Sequence, residues 1–228
     1  MSLVSALDDE LPMGGENVNL SRRGLTELPA ELFENTTMKT LKLYGNKLTE
    51  LPVEIGNLVN LEKLYLGRND IKTLPSSIGK LKNLKILSAQ YNLIDSLPPS
   101  IGEMENLEQL ILNQNSLTTL PKEIGGLKNL EVLKLNFNKI DTLPETLGDC
   151  TKLQFIYLNR NDLKELPVSL VNLRQLRELY IAYAGYLLYV PEELCQLRYF
   201  EVIEIDQTTV IPNCMRVLRT NRLTIIKN

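Results

Sequence analysis

Residues 61–81, LEKLYLGRNDIKTLPSSIGKL, contain the pattern that decides the fold of this chain. The same spacing of leucines, asparagine and Leu-Pro recurs every 23 residues, in copies that begin at residues 15, 38, 61, 84, 107, 130, 153, 176 and 200. The first and last copies are degenerate. Seven prolines show the period directly: Pro29, Pro52, Pro75, Pro98, Pro121, Pro144 and Pro167. A fixed period of this length indicates a stack of repeats that share one core.

Each repeat begins with a short strand. The alternation in Leu64-Tyr65-Leu66 places two leucines on one side of the strand and the tyrosine on the other. Proline cannot donate to a sheet, so the Leu-Pro segment is expected to be extended or loosely helical. The sequence therefore predicts an α/β solenoid of about eight to nine repeats, with a parallel sheet and one continuous leucine core.

An asparagine follows each strand with the same period. A buried amide must satisfy its donors and its acceptor, and at this turn it can bond backbone groups of its own and the neighbouring repeat. We predict a structural ladder with no ligand, formed by Asn46, Asn69, Asn92, Asn115, Asn138 and Asn161.

This pattern resembles that of leucine-rich repeat proteins, and the 23-residue Leu-Pro-x-x-Ile-Gly form resembles their intracellular Ras-group subclass. That group includes Ras–Raf scaffold proteins, the Ras suppressor, and the repeat domains of scribble, erbin and densin. The resemblance implies a horseshoe with short strands on its concave face and irregular or 3-10 segments on its convex face. It also implies a protein partner such as a small GTPase or a kinase or phosphatase subunit.

Composition excludes several functions. The chain has 25 basic and 28 acidic residues and a net charge of −3, so we expect no nucleic-acid partner. It has no histidine, and its three cysteines are widely spaced. We therefore predict no catalytic residue, metal, cofactor or disulfide. Neither a signal peptide nor membrane insertion is expected, and the prediction is a monomeric cytoplasmic protein.

The whole chain, 1–228, is predicted to be one domain. Residues 1–14 would form an N-terminal cap or be partly disordered, 15–212 would form the repeats, and 213–228 a C-terminal cap with a short helix over 213–219. The asparagine is replaced by Arg23, Ala184 and Thr208 in three copies, and the seventh copy has one extra residue within 183–189. Either the C-terminal end decays into a cap, which we favour, or this loop is specialised.

A partner would bind at the strand positions that face away from the core. In the middle and late copies several of these are apolar or aromatic, and the predicted contact residues are Tyr65, Ile86, Ile111, Val132, Phe155, Tyr157 and Tyr180. Alternatively, these side chains only pack across neighbouring strands. Charges alternate at the second position from Glu16 to Glu108, which favours cross-strand ion pairs over a charged docking strip.

The sequence thus predicts a non-catalytic protein-interaction module or scaffold, in intracellular signalling. The alternative is a targeting or regulatory subunit of a larger assembly that contains a phosphatase, kinase or ubiquitin ligase. An enzyme would need paired carboxylates or a nucleophile with a base. The acidic candidates, Glu178 and Glu204, are expected on non-adjacent strands with no cleft between them.

Overall fold

A computed structural model describes residues 13–218 and 222–228 of the chain. Within these residues, ten short strands form a single parallel sheet in chain order. They are β1 Asn17–Asn19, β2 Thr40–Lys42, β3 Lys63–Tyr65, β4 Ile86–Ser88, β5 Gln109–Ile111, β6 Val132–Lys134, β7 Phe155–Tyr157, β8 Glu178–Tyr180, β9 Val202–Ile205 and β10 Thr224–Lys227. The predicted leucine-rich-repeat solenoid is confirmed.

The register of the sheet follows the sequence period. Leu41 pairs with Leu64, and Leu64 with Leu87, so each residue lies beside its equivalent in the next copy. The central side chain of each three-residue strand, β1 to β8, is buried, whereas its two neighbours point to the concave face. Parallel strands about 4.8 Å apart thus align the leucines in columns, and each repeat completes the core of the next.

The convex side consists of one-turn 3-10 helices. In the described part of the chain they are η1 Ala30–Glu34, η2 Val53–Asn57, η3 Ser76–Lys80, η4 Pro99–Glu103, η5 Lys122–Gly126, η6 Glu145–Asp149, η7 Val168–Asn172 and η8 Glu192–Gln196. Each follows an extended proline whose carbonyl accepts the first bond, as in Ile78 N to Pro75 O at 3.0 Å. The segment is thus extended at the proline and helical after it.

The glycine of the Ile-Gly pair sets the spacing between these turns. A Cβ on Gly79 would lie 2.5 Å from the backbone oxygen of Ser100 in the next repeat. Val171 and Cys195 occupy the glycine position in η7 and η8, near the C-terminal end of the stack. The glycine therefore lets successive 3-10 turns pack closely from η2 to η6.

Each asparagine of the ladder joins two repeats. The Asn69 amide donates to Leu43 O at 3.0 Å and Leu66 O at 2.9 Å, and its oxygen accepts from Leu48 N at 3.1 Å. Equivalent bonds are made by Asn46, Asn92, Asn115, Asn138 and Asn161. These bonds satisfy backbone groups that the short strands leave without a sheet partner.

Cys150 is a core residue. Its side chain is fully buried, and its thiol donates to Ile124 O at 3.3 Å. Burial raises the pKa of this thiol to about 12, so it is not a reactive nucleophile.

The C-terminal end has the predicted short helix but differs from the prediction in its cysteines. A helix, α1, spans Asn213–Leu218, and Cys214 on this helix forms a disulfide with Cys195 of η8. The prediction of unpaired cysteines is therefore wrong, because stacking brings together residues 19 apart in sequence, with Cα atoms 6.2 Å apart. A cytoplasmic location stays a prediction, without the support of unpaired thiols.

Some predicted features lie outside the described residues. These are Leu3, Val4, Leu7 and Leu11 of the N-terminal cap, and Arg219 of the C-terminal cap. Within the described residues, no helix has the length and apolar character needed to cross a membrane.

We predict that Asn92→Ala destabilises the protein by about 3 kcal/mol in chemical denaturation, because it leaves Ile71 N without its acceptor and removes one of the two amide bonds to each of Leu66 O and Ala89 O. The matched control is Asn83→Ala, since Asn83 is exposed and makes one bond, to Val59 O at 3.0 Å. Asn83→Ala should lower the free energy of unfolding by less than about 1 kcal/mol. Equal losses in the two variants would contradict a dominant role for the buried ladder.

We also predict that reduction lowers the free energy of unfolding by about 3 kcal/mol, the loop-closure contribution of a bond between residues so spaced. The Cys195→Ser/Cys214→Ser variant should be insensitive to reductant. Alkylation of the denatured, unreduced protein should modify Cys150 alone. Modification of all three cysteines without reductant would show that the disulfide does not form.

Candidate functional site

The concave face presents the outward residues of the strands. All seven predicted contact residues lie on it in the register expected, at the first or third residue of β3 to β8. Each of them is half-buried rather than fully exposed. Packing across strands therefore covers part of every side chain and leaves the rest open to solvent, so both interpretations from the sequence describe a part of this surface.

The aromatic part of the face is centred on two tyrosines. Pairing of β7 with β8 places Tyr157 beside Tyr180, and the rings stack with centroids 4.6 Å apart and planes 10° apart. The Lys134 ammonium lies 5.1 Å from the centre of the Tyr157 ring. Such stacking holds both rings in one orientation and makes a rigid platform.

Two carboxylates border this platform. The Tyr180 hydroxyl donates to Glu178 at 2.7 Å, and Asn159 donates to Glu204 at 2.6 Å. Burial raises the pKa of Tyr180, and the bond to Glu178 raises it further. Strands β8 and β9 are neighbours in the sheet, so the expectation that Glu178 and Glu204 lie on non-adjacent strands is wrong. They lie diagonally across one strand pair.

A second asparagine ladder lies on the concave face. The oxygens of Asn113, Asn136 and Asn159 accept from the backbone N–H groups of Asn136, Asn159 and Ala182 at 2.8–2.9 Å. The sequence contained the signal, since these asparagines also recur at 23 residues, two positions before the first ladder. These bonds fasten the strand ends across β5 to β8.

The edge where the strands end, here called the exit rim, consists of the residues one position before the ladder position, which is an asparagine in six copies and Arg23 or Ala184 in two others. In successive copies they adopt positive φ, as at Arg68, Tyr91, Phe137, Arg160 and Tyr183. A left-handed conformation costs about 1–2 kcal/mol at a residue with a Cβ. The Arg160 guanidinium lies 5.3 Å from the Phe137 ring centre and 5.1 Å from that of Tyr183, so these rings are held outward by cation–π contacts.

The irregular seventh copy forms a loop that continues the exit rim. The missing ladder asparagine is replaced by a backbone bond, Leu163 N to Ala184 O at 2.5 Å. Leu188 fills the core, whereas Tyr186 is 90% exposed. The extra residue is thus accommodated outside the stack. The loop exposes an aromatic side chain while the sheet continues to β9 and β10, so the sequence irregularity does not end the solenoid.

The opposite edge of the sheet, here called the entry rim, carries the alternating charges. Lys39 pairs with Glu16 at 2.7 Å and Lys85 with Glu62 at 2.9 Å. The hydrogen bond and charge of Lys85 lower the pKa of Glu62. The predicted cross-strand pairs are confirmed, and these exposed pairs help to align neighbouring strands.

Within the described residues, no group of three or more Asp, Glu or Cys side chains has an arrangement that could hold a metal ion. The site therefore consists of a shaped surface with aromatic and charged groups.

The pattern of a leucine-rich repeat region matches this chain twice, over residues 29–138 and 109–218. The chain belongs to the leucine-rich repeat family. Domains of this family are generally non-catalytic modules that bind other proteins. A search of curated proteins finds no match to the sequence.

Solved structures include several similar repeat domains. A leucine-rich repeat protein of Leptospira interrogans is 33% identical, with a TM-score of 0.83 over 95% of this chain and 55% of that one. A second similar structure is the ectodomain of the Arabidopsis thaliana receptor kinase GASSHO1/SCHENGEN3, solved in complex with CASPARIAN STRIP INTEGRITY FACTOR 2. It is 30% identical, with a TM-score of 0.74 over 92% of this chain and 26% of that one. An internalin of Listeria monocytogenes shares the fold, with 21% identity and a TM-score of 0.75 over 92% of this chain and 60% of that one.

The leucine-rich repeat domain described here therefore spans about half the length of the Leptospira protein and about a quarter of the plant ectodomain.

We predict that Gly185→Ala disrupts the exit-rim loop, because a methyl group there would overlap the backbone oxygen of Leu163. The substitution should lower the free energy of unfolding by about 2 kcal/mol and speed hydrogen exchange at the Leu163 amide. Gly14→Ala is the control, since a Cβ there meets nothing within 4 Å. Unchanged exchange at Leu163 would show that the loop does not depend on this close approach.

Proposed function

We propose that this leucine-rich repeat domain is a protein-binding scaffold that holds its partner on the concave face. The contact would extend from the Tyr157–Tyr180 platform to the exit rim at Phe137 and Tyr183. The single observation that carries this proposal is the stacked tyrosine pair, which is half-buried, rigid and unnecessary for the leucine core. Tyrosine is enriched among the residues that contribute most to protein-binding energy.

Rigidity supports a binding role. The tyrosines are fixed by stacking, and two asparagine ladders immobilise the backbone beside them. A surface already held in shape loses little conformational entropy when a partner docks, so more of the contact energy appears as affinity. The exit rim adds exposed rings, at 48% exposure for Phe137 and 47% for Tyr183, that could bury further apolar area.

Resemblance supports a finer proposal. The Leu-Pro-x-x-Ile-Gly form is similar to the intracellular Ras-group subclass, which would make the partner a small GTPase or a kinase or phosphatase subunit and the setting intracellular signalling. The plant ectodomain that resembles this domain is solved in complex with a protein factor, so that fold accommodates such a ligand.

A second candidate function is a targeting or regulatory subunit within an assembly that contains a phosphatase, kinase or ubiquitin ligase. The observation that favours it is the greater length of the Leptospira and plant proteins that share the fold. In that case the concave face would recruit the substrate of a catalytic partner.

We predict that Tyr157→Ala/Tyr180→Ala weakens partner binding at least about 30-fold, the loss of a typical hot spot of 2 kcal/mol or more. Affinity purification from source cells would be run with the wild type and this variant side by side, and binding of the recovered partner would then be measured by titration calorimetry.

The control for this experiment is Tyr199→Ala, because Tyr199 is a surface tyrosine, 46% exposed, that lies between η8 and β9, away from the concave face. All proteins should have matched melting temperatures. Recovery of the same partner at equal affinity by all three would exclude the tyrosine platform from the binding site.

A further inference from the structure

Charges on the concave face are sorted along the solenoid. Beside β1 to β3, the charged side chains of the outward positions and exit rim are all cationic: Arg22, Lys42, Lys63 and Arg68. On β8 and β9 the charged side chains at the outward positions are acidic, Glu178 and Glu204, and the buried Asp206 follows β9. The small net charge of the chain hides this separation, which gives the face a basic end and an acidic end.

The basic end is not neutralised by the protein itself. Lys42 and Lys63 are exposed, and neither forms an ion pair within the part of the chain that the structure describes. They lie diagonally across the β2–β3 pair. Arg22 and Arg68 lie over the rings of Tyr44 and Tyr91, at 5.8 and 4.9 Å, and keep their charge without a carboxylate.

The acidic end has the same arrangement with opposite sign. Glu178 and Glu204 lie diagonally across the β8–β9 pair, and among residues 13–218 and 222–228 they accept only from neutral groups, the Tyr180 hydroxyl and the amides of Asn159 and Asn228. Asp206 is different, because it is buried and accepts from Tyr183 N and Thr208 N. Its role is to hold the turn, which leaves two carboxylates for a ligand.

The entry rim provides the contrast. There Lys39, Lys85 and Arg177 are each paired with a glutamate of the preceding or following strand. The chain thus pairs opposite charges along one edge, whereas on the concave face the basic and acidic ends are unpaired and the cations between them, Lys134 and Arg160, lie over aromatic rings. A concave surface focuses the field of such unpaired charges, which orients an approaching partner and raises its association rate.

We infer that the concave face binds one extended protein segment of complementary polarity, with carboxylates over Lys42 and Lys63 and an arginine over Glu178 and Glu204. This inference rests on the proposed binding function. Guanidinium is the cation that best matches this end, because it can form charge-assisted bonds to both carboxylates and lie against the Tyr180 ring.

The distance between the two ends defines the segment. The midpoints of the β2–β3 and β8–β9 pairs are six strand spacings apart, or about 29 Å at about 4.8 Å each. An extended chain covers this distance in about nine residues at about 3.3 Å per residue. The central residues of the segment would cross β5 and β6, beside Ile111 and Val132, so an apolar centre fits best, and the Tyr157–Tyr180 platform would lie next to its arginine end.

The test uses four synthetic peptides that share one apolar spacer of about eight residues. The mixed-charge peptide has Glu-Glu at one end and Arg-Arg at the other. The other three peptides carry the same pair at both ends, which is Glu-Glu, Arg-Arg or Gln-Gln. Fluorescence anisotropy would measure binding at low and physiological salt. We expect the mixed-charge peptide to bind about tenfold more tightly than the Gln peptide, a difference that shrinks as salt is added.

Charge-reversal variants should change the preference in opposite directions. Lys42→Glu/Lys63→Glu should bind the doubly basic peptide best, and Glu178→Lys/Glu204→Lys the doubly acidic one. The control is Lys80→Glu/Lys122→Glu, which makes the same net change of charge on the convex turns η3 and η5. It should still prefer the mixed-charge peptide.

Several outcomes would overturn the inference. The first is that all four peptides bind equally or that none binds, and the second is that the convex control changes the preference in the same way. The third is that the protein forms a dimer in solution that Lys42→Glu/Lys63→Glu dissociates, because a second copy would then be the occupant. If the charge-reversal variants recover the wild-type partner at full affinity while Tyr157→Ala/Tyr180→Ala loses it, the polarity inference fails and the binding function stands. If neither the wild type nor any variant recovers a partner, the proposed binding function itself fails.

Discussion

The whole structure depends on how three-residue strands satisfy their backbones. A strand this short can offer only a few ladder bonds, and the turn that follows it would leave buried N–H and C=O groups without partners. The amide of Asn69 supplies both missing donors and an acceptor, because it bonds Leu43 O and Leu66 O and receives Leu48 N. Since those groups belong to two successive repeats, each copy is complete only in contact with its neighbour.

The same dependence explains where the chain tolerates change. At Ala184 the amide is missing, and a direct backbone bond from Leu163 N takes its place. That bond needs a close approach which only Gly185 permits, because any Cβ there would overlap Leu163 O. The extra residue of this copy is then placed outside the stack, where it exposes Tyr186. An irregular loop and an uninterrupted sheet are therefore compatible.

Function in such a fold belongs to the positions that stacking leaves free. The central residue of each strand is committed to the core, whereas its neighbours only need to suit the concave surface. On that surface the tyrosine platform and the sorted charges have no part in the leucine core. Ion pairs between neighbouring strands neutralise the charges of the entry rim, whereas in the described part of the chain Lys42, Lys63, Glu178 and Glu204 on the concave face form no such pairs. This difference is the physical reason to assign the concave face to a partner.

The sequence alone determined the period, the strand register, the leucine columns and the positions that face outward, because a 23-residue repeat ties each residue to its equivalent in the next copy. It also predicted the cross-strand ion pairs, since neighbouring copies alternate in sign. Only the tertiary structure brought Cys195 to Cys214, because this contact joins the last 3-10 turn to a cap that lies outside the period. The stacking of Tyr157 on Tyr180 and the rings around Arg160 likewise depend on side-chain rotamers and positive φ values, which periodicity does not specify.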